Sequence, residues 1–427
     1  METPATGRRS LTRRGVLGTA AGTAAALALG TPAAATPETA SPTVVTRNAS
    51  LGVDLSRLLN GDSMADVRHI AGEMLADVDR ARYEARAGAI AAEIEAAGAD
   101  VVALQEAALL RTQRPSDFGE ASAEDASAVV LDLLDLVQSA LAARGLSYDV
   151  AAATVTTDVE LPADADGEQV DVRITDRNAL LVRDGVETRE AVTDTFAAAP
   201  SVPLPGTDLT VSVRRGFCAA DVVVDGVGFT AASTHLEAAT SLVRRPQAEE
   251  LLARLPDDRP VVLCGDFNSG PGTETGTYDL LTSTFEDAHA TRRPDEDGFT
   301  CCQATTLTND ESRLSSRVDA ILFRGSVRPT AVERVGHRPE DRIEVQSGDG
   351  TVEVWPSDHA GVVATFEVSA PAATPTPTES EEPATPTAAP TDEGGDTATP
   401  GGSGPGLGVV AAVAGLAGAV LARVRRK

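Results

Sequence analysis

The sequence predicts a layered α/β domain, and three observations carry that expectation. Short apolar runs bounded by Gly, Pro or polar residues, such as Val261, Val262 and Leu263 between Pro260 and Gly265, have the make-up of strands buried on both faces. Amphipathic stretches of helical period alternate with these runs along the chain, as layered α/β cores require. Polar, chemically capable residues recur where the apolar runs end, and in open α/β sheets the carboxyl ends of strands are where chemistry collects.

Taken in order, Val44–Asn48 reads as a first strand ending on Asn48, and residues 54–82 are mixed with helical stretches. Ala85–Ala97 is an Ala-rich helix with Ile90 and Ile94 on one face, stopped by Gly98. Asp100–Leu104 follows as a buried strand delivering Gln105 and Glu106. Thr112–Glu124 is polar and loop-like, and Ala126–Ala143 reads as a second long helix closed by Gly145. Tyr148–Val155 and Gln169–Val182 alternate as strands, with Asp176, Arg177 and Asn178 inside the second. Asp208–Val213 and Ala219–Val224 flank Arg214 and Arg215, and Asp225-Gly226 is a hairpin signal leading to Gly228–Ser233 and then Thr234-His235. A helix near Leu242–Leu255 precedes Val261–Gly270, where a strand runs out into Gly265, Asp266, Phe267 and Asn268. A carboxylate and an amide two residues apart on such a strand point to one side. Arg317–Phe323 is another buried strand beginning at Asp319, and Ser357-Asp358-His359 precedes the last strand, Val362–Val368.

The ends are of another kind. Residues 1–35 hold an arginine-rich start, a small apolar run and Ala33-Ala34-Ala35, the layout of an export signal, and Thr12–Leu17 resembles a twin-arginine signal. Residues 371–404 are rich in Pro, Thr, Gly and Glu and cannot bury enough apolar surface to order themselves, so they read as a stalk. Residues 406–422 are apolar and are followed by the basic tail 423–427, which reads as a membrane anchor with its end in the cytoplasm. Pro405-Gly406-Leu407, the apolar run and the basic tail together also resemble the sorting segments of haloarchaeal surface proteins. The expected location is therefore outside the cell, anchored or secreted, as a monomer.

The net charge of −28, with Lys427 as the one lysine, sharpens when the ends are removed. The first 35 residues carry +3 and the last 27 carry +4, which leaves −35 for the stretch between. Such an acidic balance speaks to solubility, here in high salt, and against an electrostatic nucleic-acid binder. Four cysteines, at 218, 264, 301 and 302, are too few for a disulfide framework and lack zinc-site spacing; Cys264 reads as a small apolar filler.

Leu104-Gln105-Glu106, Thr234-His235-Leu236, Gly265-Asp266-Phe267-Asn268, Arg317-Val318-Asp319 and Ser357-Asp358-His359 stand in one order over residues 43–369. Each is short; the order and spacing together resemble the endonuclease/exonuclease/phosphatase superfamily. That resemblance implies a four-layer sandwich of two mixed β-sheets flanked by helices, with the site at one edge. It also implies hydrolysis of a phosphoester: in a nucleic acid, a phospholipid headgroup or a small phosphodiester. Such chemistry needs a cation on the phosphate oxygens, an activated water and a proton for the leaving group.

Under the resemblance, Glu106, Asn48 and Asp358 are the expected ligands of Mg2+, with Mn2+ or Ca2+ as alternatives. His359 is the expected general base, oriented by Asp319, and His235 the acid or phosphate stabiliser, oriented by Asp176. Asp266 binds metal or positions the water, Asn268 holds the phosphate, and Arg177 and Arg215 contact it bidentately. A phosphomonoesterase or a sphingomyelinase-like lipid hydrolase of the same fold is the nearer alternative. A surface binding module without catalysis is the more distant one, and a binding-only chain has no need of Glu106, His235, Asp266, Asn268 and His359 together.

Overall fold

Side-chain alternation along the buried strands sorts the core into layers. In the computed structural model, which describes residues 39–370 except 54, 81, 120–123, 205, 273–275 and 349, Val44, Val101 and Ala103 face one way, and Val45, Val102 and Leu104 the other. The first set meets Ala231, Val262, Cys264 and Ile321 of a second sheet; the second set packs under Ile90, Ile94, Val137 and Leu141 of two helices. On the far side, Val261 and Leu263 carry Ala248, Leu251 and Leu281. Successive strand side chains point to opposite faces, so each buried strand serves an inter-sheet core and a helix-facing core at once. The result is helix, sheet, sheet, helix, as the sequence led us to expect.

The first sheet has nine strands, with Gly361–Ser369, Thr43–Asn48, Val101–Gln105 and Glu168–Arg183 adjacent in that order. The second has six, in the order Glu286–Asp287, Asp319–Arg324, Val261–Asp266, Val227–His235, Gly216–Val224 and Glu187–Thr195. Both are mixed: Thr43–Asn48 runs parallel to Val101–Gln105, and Val227–His235 parallel to Val261–Asp266, while their other neighbours are antiparallel. Cys218 and Cys264 are free and fully buried between the sheets.

Three elements depart from the sequence reading. The helix expected over Ala126–Ala143 begins only at Leu133. Its first part, Ala128–Asp132, is a strand, because Val129 and Val130 are β-branched and Leu109–Gln113 offers them a ladder. Asp132 then caps the helix by accepting from the Asp135 N–H at 3.1 Å. Part of the expected loop Thr112–Glu124 is thereby drawn into the sheet. The two strands expected at Tyr148–Val155 and Gln169–Val182 are instead one long hairpin, Tyr148–Ala165 with Glu168–Arg183, turned at Asp166-Gly167. Both turn residues have positive φ, as at the Asp225-Gly226 hairpin foreseen from sequence. The expected signal (1–35), stalk (371–404) and apolar span (406–422) lie outside the described residues. Among the described residues no helix is long and apolar enough to cross a membrane.

Candidate active site

Register places the chemistry. His235 is the Cα partner of Asp266 in the parallel pair, and Asp266 is the partner of Asp319 in the antiparallel pair. Three adjacent strands therefore end on one row, and strand parity turns all three side chains toward the inter-sheet space. From the other sheet, Asn48 and Asp176 have the same parity relative to Val44 and Leu180. The sheets meet there: the Asn48 amide donates to Asp266 Oδ2 and to Glu106 Oε1, both at 3.1 Å.

The residues expected to cooperate are brought together, with some partners exchanged. His359 Nδ1 lies 2.8 Å from Asp319 Oδ2 and 3.8 Å from Asp266 Oδ2. His235 Nδ1 does not meet Asp176 directly. The Arg215 guanidinium stands between them, 3.1 Å from His235 Nδ1 and 3.2 Å from Asp176 Oδ2. A guanidinium only donates, so His235 Nδ1 accepts from it, while Nε2 faces Asp266 Oδ2 at 3.5 Å. Asn268 closes this side, its amide 3.1 Å from His235 Nε2 and donating to the Leu236 carbonyl at 2.9 Å. Arg177 is elsewhere. Its parity is opposite to that of Asp176, and its guanidinium is bound to Asp132 (2.5 Å) and the Ala107 carbonyl (2.7 Å) on the helix side. It clamps a helix start to the sheet, so the phosphate contact expected from sequence rests on Arg215 alone.

Burial and neighbouring charge separate the protonation states. Burial, with Arg215 and then His359 adding to it, holds His235 well below the ordinary histidine range, so its ring is neutral. Burial works against charge on His359 too. There Asp319, Asp266, the hydrogen bond to Asp319 and Asp358 outweigh it, and the imidazole is held well above its ordinary range. Asp266 is pushed up to about 7 by burial first and Asp319 next. Glu106 is raised by burial, then by Asp358 and Asp176.

The same surroundings test whether a metal fits. Glu106 accepts only from neutral donors among its hydrogen bonds, the Asn48 amide and the Leu51 N–H at 2.5 Å, while Asp358 and Asp176 press on it. Buried Asp319 Oδ1 and Asp176 Oδ1 have no hydrogen-bond partner. An all-oxygen group with excess negative charge suits a hard dication. Glu106 with Asp358 is one such set; Asp266, Asp319 and His359 form another compact group of candidate ligands. Asn48 turns its nitrogen, not its oxygen, to the carboxylates, and its oxygen accepts from the Ser50 N–H at 2.9 Å. It therefore spaces two carboxylates in this arrangement and is not placed as a metal ligand.

Several supporting residues were missed in the sequence. Arg47, fully buried, donates to the His359 carbonyl and pairs with Glu93 at 3.0 Å. Arg86 donates to the carbonyls of Ala49, Ser50 (2.9 Å) and Pro356 (3.0 Å), tying the turn after Asn48 to the one before His359. The signal for Arg86 was present: it precedes Ile90 and Ile94 by four and eight residues, so it lies on the apolar stripe. Glu106, Asn268 and Ser50 are non-glycine residues at positive φ, at 54°, 47° and 62°. Left-handed backbone at the ends of buried strands is a cost that functional sites carry.

A family model described as Endonuclease/Exonuclease/phosphatase family matches residues 60–359. Among solved structures, an endonuclease/exonuclease/phosphatase family protein from Bacteroides thetaiotaomicron is 16% identical, with a TM-score of 0.48, covering 78% of this chain and 99% of that one. A mannosyl-6-phosphatase from the same organism is 17% identical, with a TM-score of 0.46, covering 76% and 99%. The human Nocturnin catalytic domain is 16% identical, with a TM-score of 0.40, covering 77% and 96%. No curated protein matches the chain. With the family model spanning most of the chain, from before the first long helix to His359, this protein belongs to the endonuclease/exonuclease/phosphatase family and is a phosphoesterase, a hydrolase of ester bonds.

Proposed function

We propose that the chain is a magnesium-dependent phosphodiesterase, acting on a nucleic acid or a small phosphodiester outside the cell. The observation that carries this reading is the row His235, Asp266 and Asp319, joined at the strand ends by His359, Asn268 and, through Asn48, Glu106. Arg215 donates to phosphate oxygens beside the neutral His235, and Asn268 supports them from the side. The expectation that His359 is the resting base changes here. Three carboxylates keep it protonated, so it donates to the substrate, while Asp266, pushed up to about 7, is poised to take a proton from water. The two lie close enough to titrate as a pair. Magnesium held by Glu106 and Asp358 would polarise the phosphate oxygens and offset the local excess of carboxylates.

Few cationic side chains face the site, and the charge of −35 between the two ends disfavours long polyanions, so the contact is expected to be with one phosphoester at a time. A substrate panel of plasmid, RNA, sphingomyelin, inositol phosphates and nucleotides, run across salt and metals, tests the reading. No hydrolysis of any of them at any salt would refute it, and preference for a monoester would move it to a phosphatase.

Two variants probe the roles. Glu106→Gln is expected to raise the magnesium concentration for half activity while leaving the circular dichroism unchanged. A metal titration matching wild type would remove Glu106 from the ligand set. His359→Ala is expected to lower kcat by about 100- to 10,000-fold, the usual worth of a positioned proton-transfer group. In wild type, activity is expected to fall at alkaline pH as His359 loses its proton, and this limb should move to lower pH in Asp319→Asn, because Asp319 is what raises His359.

A further inference from the structure

Cys301 and Cys302 stand against the site, and the proposed phosphoester chemistry does not use them. The segment Thr300–Gln303 is laced to both strands that carry the His359–Asp319 pair. The Ala360 N–H donates to the Thr300 carbonyl and the Gln303 N–H to the Asp358 carbonyl, both at 2.8 Å. The Thr300 hydroxyl accepts from the Val318 and Asp319 N–H groups at 3.1 and 3.0 Å. These bonds fix Cys302 Sγ at 3.8 Å from His359 Nε2. The two sulfurs are joined as a vicinal disulfide; Cys302 is exposed and Cys301 partly so, whereas Cys218 and Cys264 are buried and free.

We propose that, when this disulfide is reduced, Cys301 Sγ, Cys302 Sγ and His359 Nε2 form a binding site for a thiophilic metal ion such as Zn2+, and that its occupation switches the enzyme off. The control role rests on the phosphoesterase reading; the metal site does not. Three features argue for it. The ligand atoms of these residues already lie within 4.8 Å of one another, and ligands around a tetrahedral zinc sit roughly 3.6 Å apart given its usual bond lengths. His359 carries a carboxylate on Nδ1, at 2.8 Å, the support that metal-bound histidines ordinarily have, so Nε2 is the nitrogen directed at the sulfurs. The donor set is soft, two sulfurs and an imidazole, and so selects against the magnesium that the oxygen-rich Glu106 side favours.

The chemistry balances with a small dithiol as reductant. Its two sulfurs close into a disulfide while the Cys301–Cys302 bond opens, taking two electrons and two protons to become two thiols. Metal binding then releases the thiol protons. With Nε2 bound to the ion, His359 can no longer donate to a phosphate. Reoxidation removes both thiolates and the site with them.

The test uses the full chain, reduced with a dithiol and desalted without air. Titration with Co2+ alone is expected to give a thiolate-to-cobalt charge-transfer band at one ion per chain, which Zn2+ discharges. Zn2+ at one equivalent is expected to remove most magnesium-supported turnover of the reduced protein and none of that of the diamide-oxidised protein. Cys302→Ser should keep magnesium-supported turnover while losing both the band and the zinc inhibition. The proposal is overturned if the reduced protein gives no such band, if Cys302→Ser or the oxidised protein is inhibited like the reduced wild type, or if the band forms while turnover is untouched. A band in a protein that hydrolyses no phosphoester would uphold the site and sink the phosphoesterase reading instead.

Discussion

Asp266→Asn is expected to abolish most turnover and at the same time to make the protein more stable. Asp266 is buried on a row with Asp319, and its carboxyl is pushed from 3.8 up to about 7. As the proposed proton acceptor from water, its loss should lower kcat by about 100- to 10,000-fold. The stability effect follows from linkage. A carboxyl with a raised folded-state pKa binds more protons in the folded state than in the unfolded one between pH 3.8 and about 7, so it weakens the fold as pH rises through that window. Asparagine carries no such penalty and can still accept from the Asn268 N–H. Above pH 7 the gain is bounded by about 4 kcal/mol, from roughly three pKa units, and is reduced by whatever the new amide loses against Asn48. Denaturant melts of both proteins in EDTA at pH 5 and pH 8 measure it. Retention of more than a tenth of the activity, or a variant less stable than wild type at pH 8, would show that this carboxylate is neither the base nor a strained group.

Arg47→Met should be the most damaging change away from the reacting groups. Arg47 is fully buried, pairs with Glu93 at 3.0 Å and donates to the backbone carbonyl of His359. Methionine fills the space of the stem but leaves the Glu93 carboxylate without its cation. Breaking a buried pair from one side typically costs about 3–5 kcal/mol. Burial raises Glu93 and Arg47 opposes that rise, so without the arginine the carboxyl should take up a proton more readily. The deficit is therefore expected to be largest at neutral pH and to shrink as pH falls and Glu93 becomes neutral in both states. The double change Arg47→Met with Glu93→Gln should recover much of the loss. Melts at pH 7 and pH 5 decide the matter, and an equal deficit at both would mean that the His359 carbonyl contact, not the ion pair, carries the cost.

Much of the site could be read from the chain because strands are local objects. A buried strand declares itself by its residue types, and its end by the polar residue beyond it. That is how Asn48, Glu106, Asp176, His235, Asp266, Asp319 and His359 were found without any coordinates. Parity along one strand is just as local, and it already separates Asp176 from Arg177: adjacent strand residues point to opposite faces, and the structure sends Arg177 to Asp132 on the helix side. Arg86 on the apolar stripe of its helix was legible by the same rule of spacing.

What the chain could not declare is set by contacts between residues far apart in it. Asn48 and Asp266 are 218 residues apart and meet because two sheets pack face to face. Arg215 comes between His235 and Asp176 only because the end of Gly216–Val224 lies beside that of Val227–His235 in register. Protonation depends on the same packing: Asp266 is raised by burial and then Asp319, and His359 is raised where Asp319, Asp266 and Asp358 outweigh burial, and the proposed exchange of their roles rests on this. Cys302 reaches His359 through hydrogen bonds between loops 57 residues apart, which leave no periodic trace. The sequence by itself determined which side chains stand at strand ends and which face of each strand they take, because alternation depends on neighbours along the chain. Only the tertiary structure decided which ends meet, who partners whom and where the protons rest, because those depend on register and burial between distant segments.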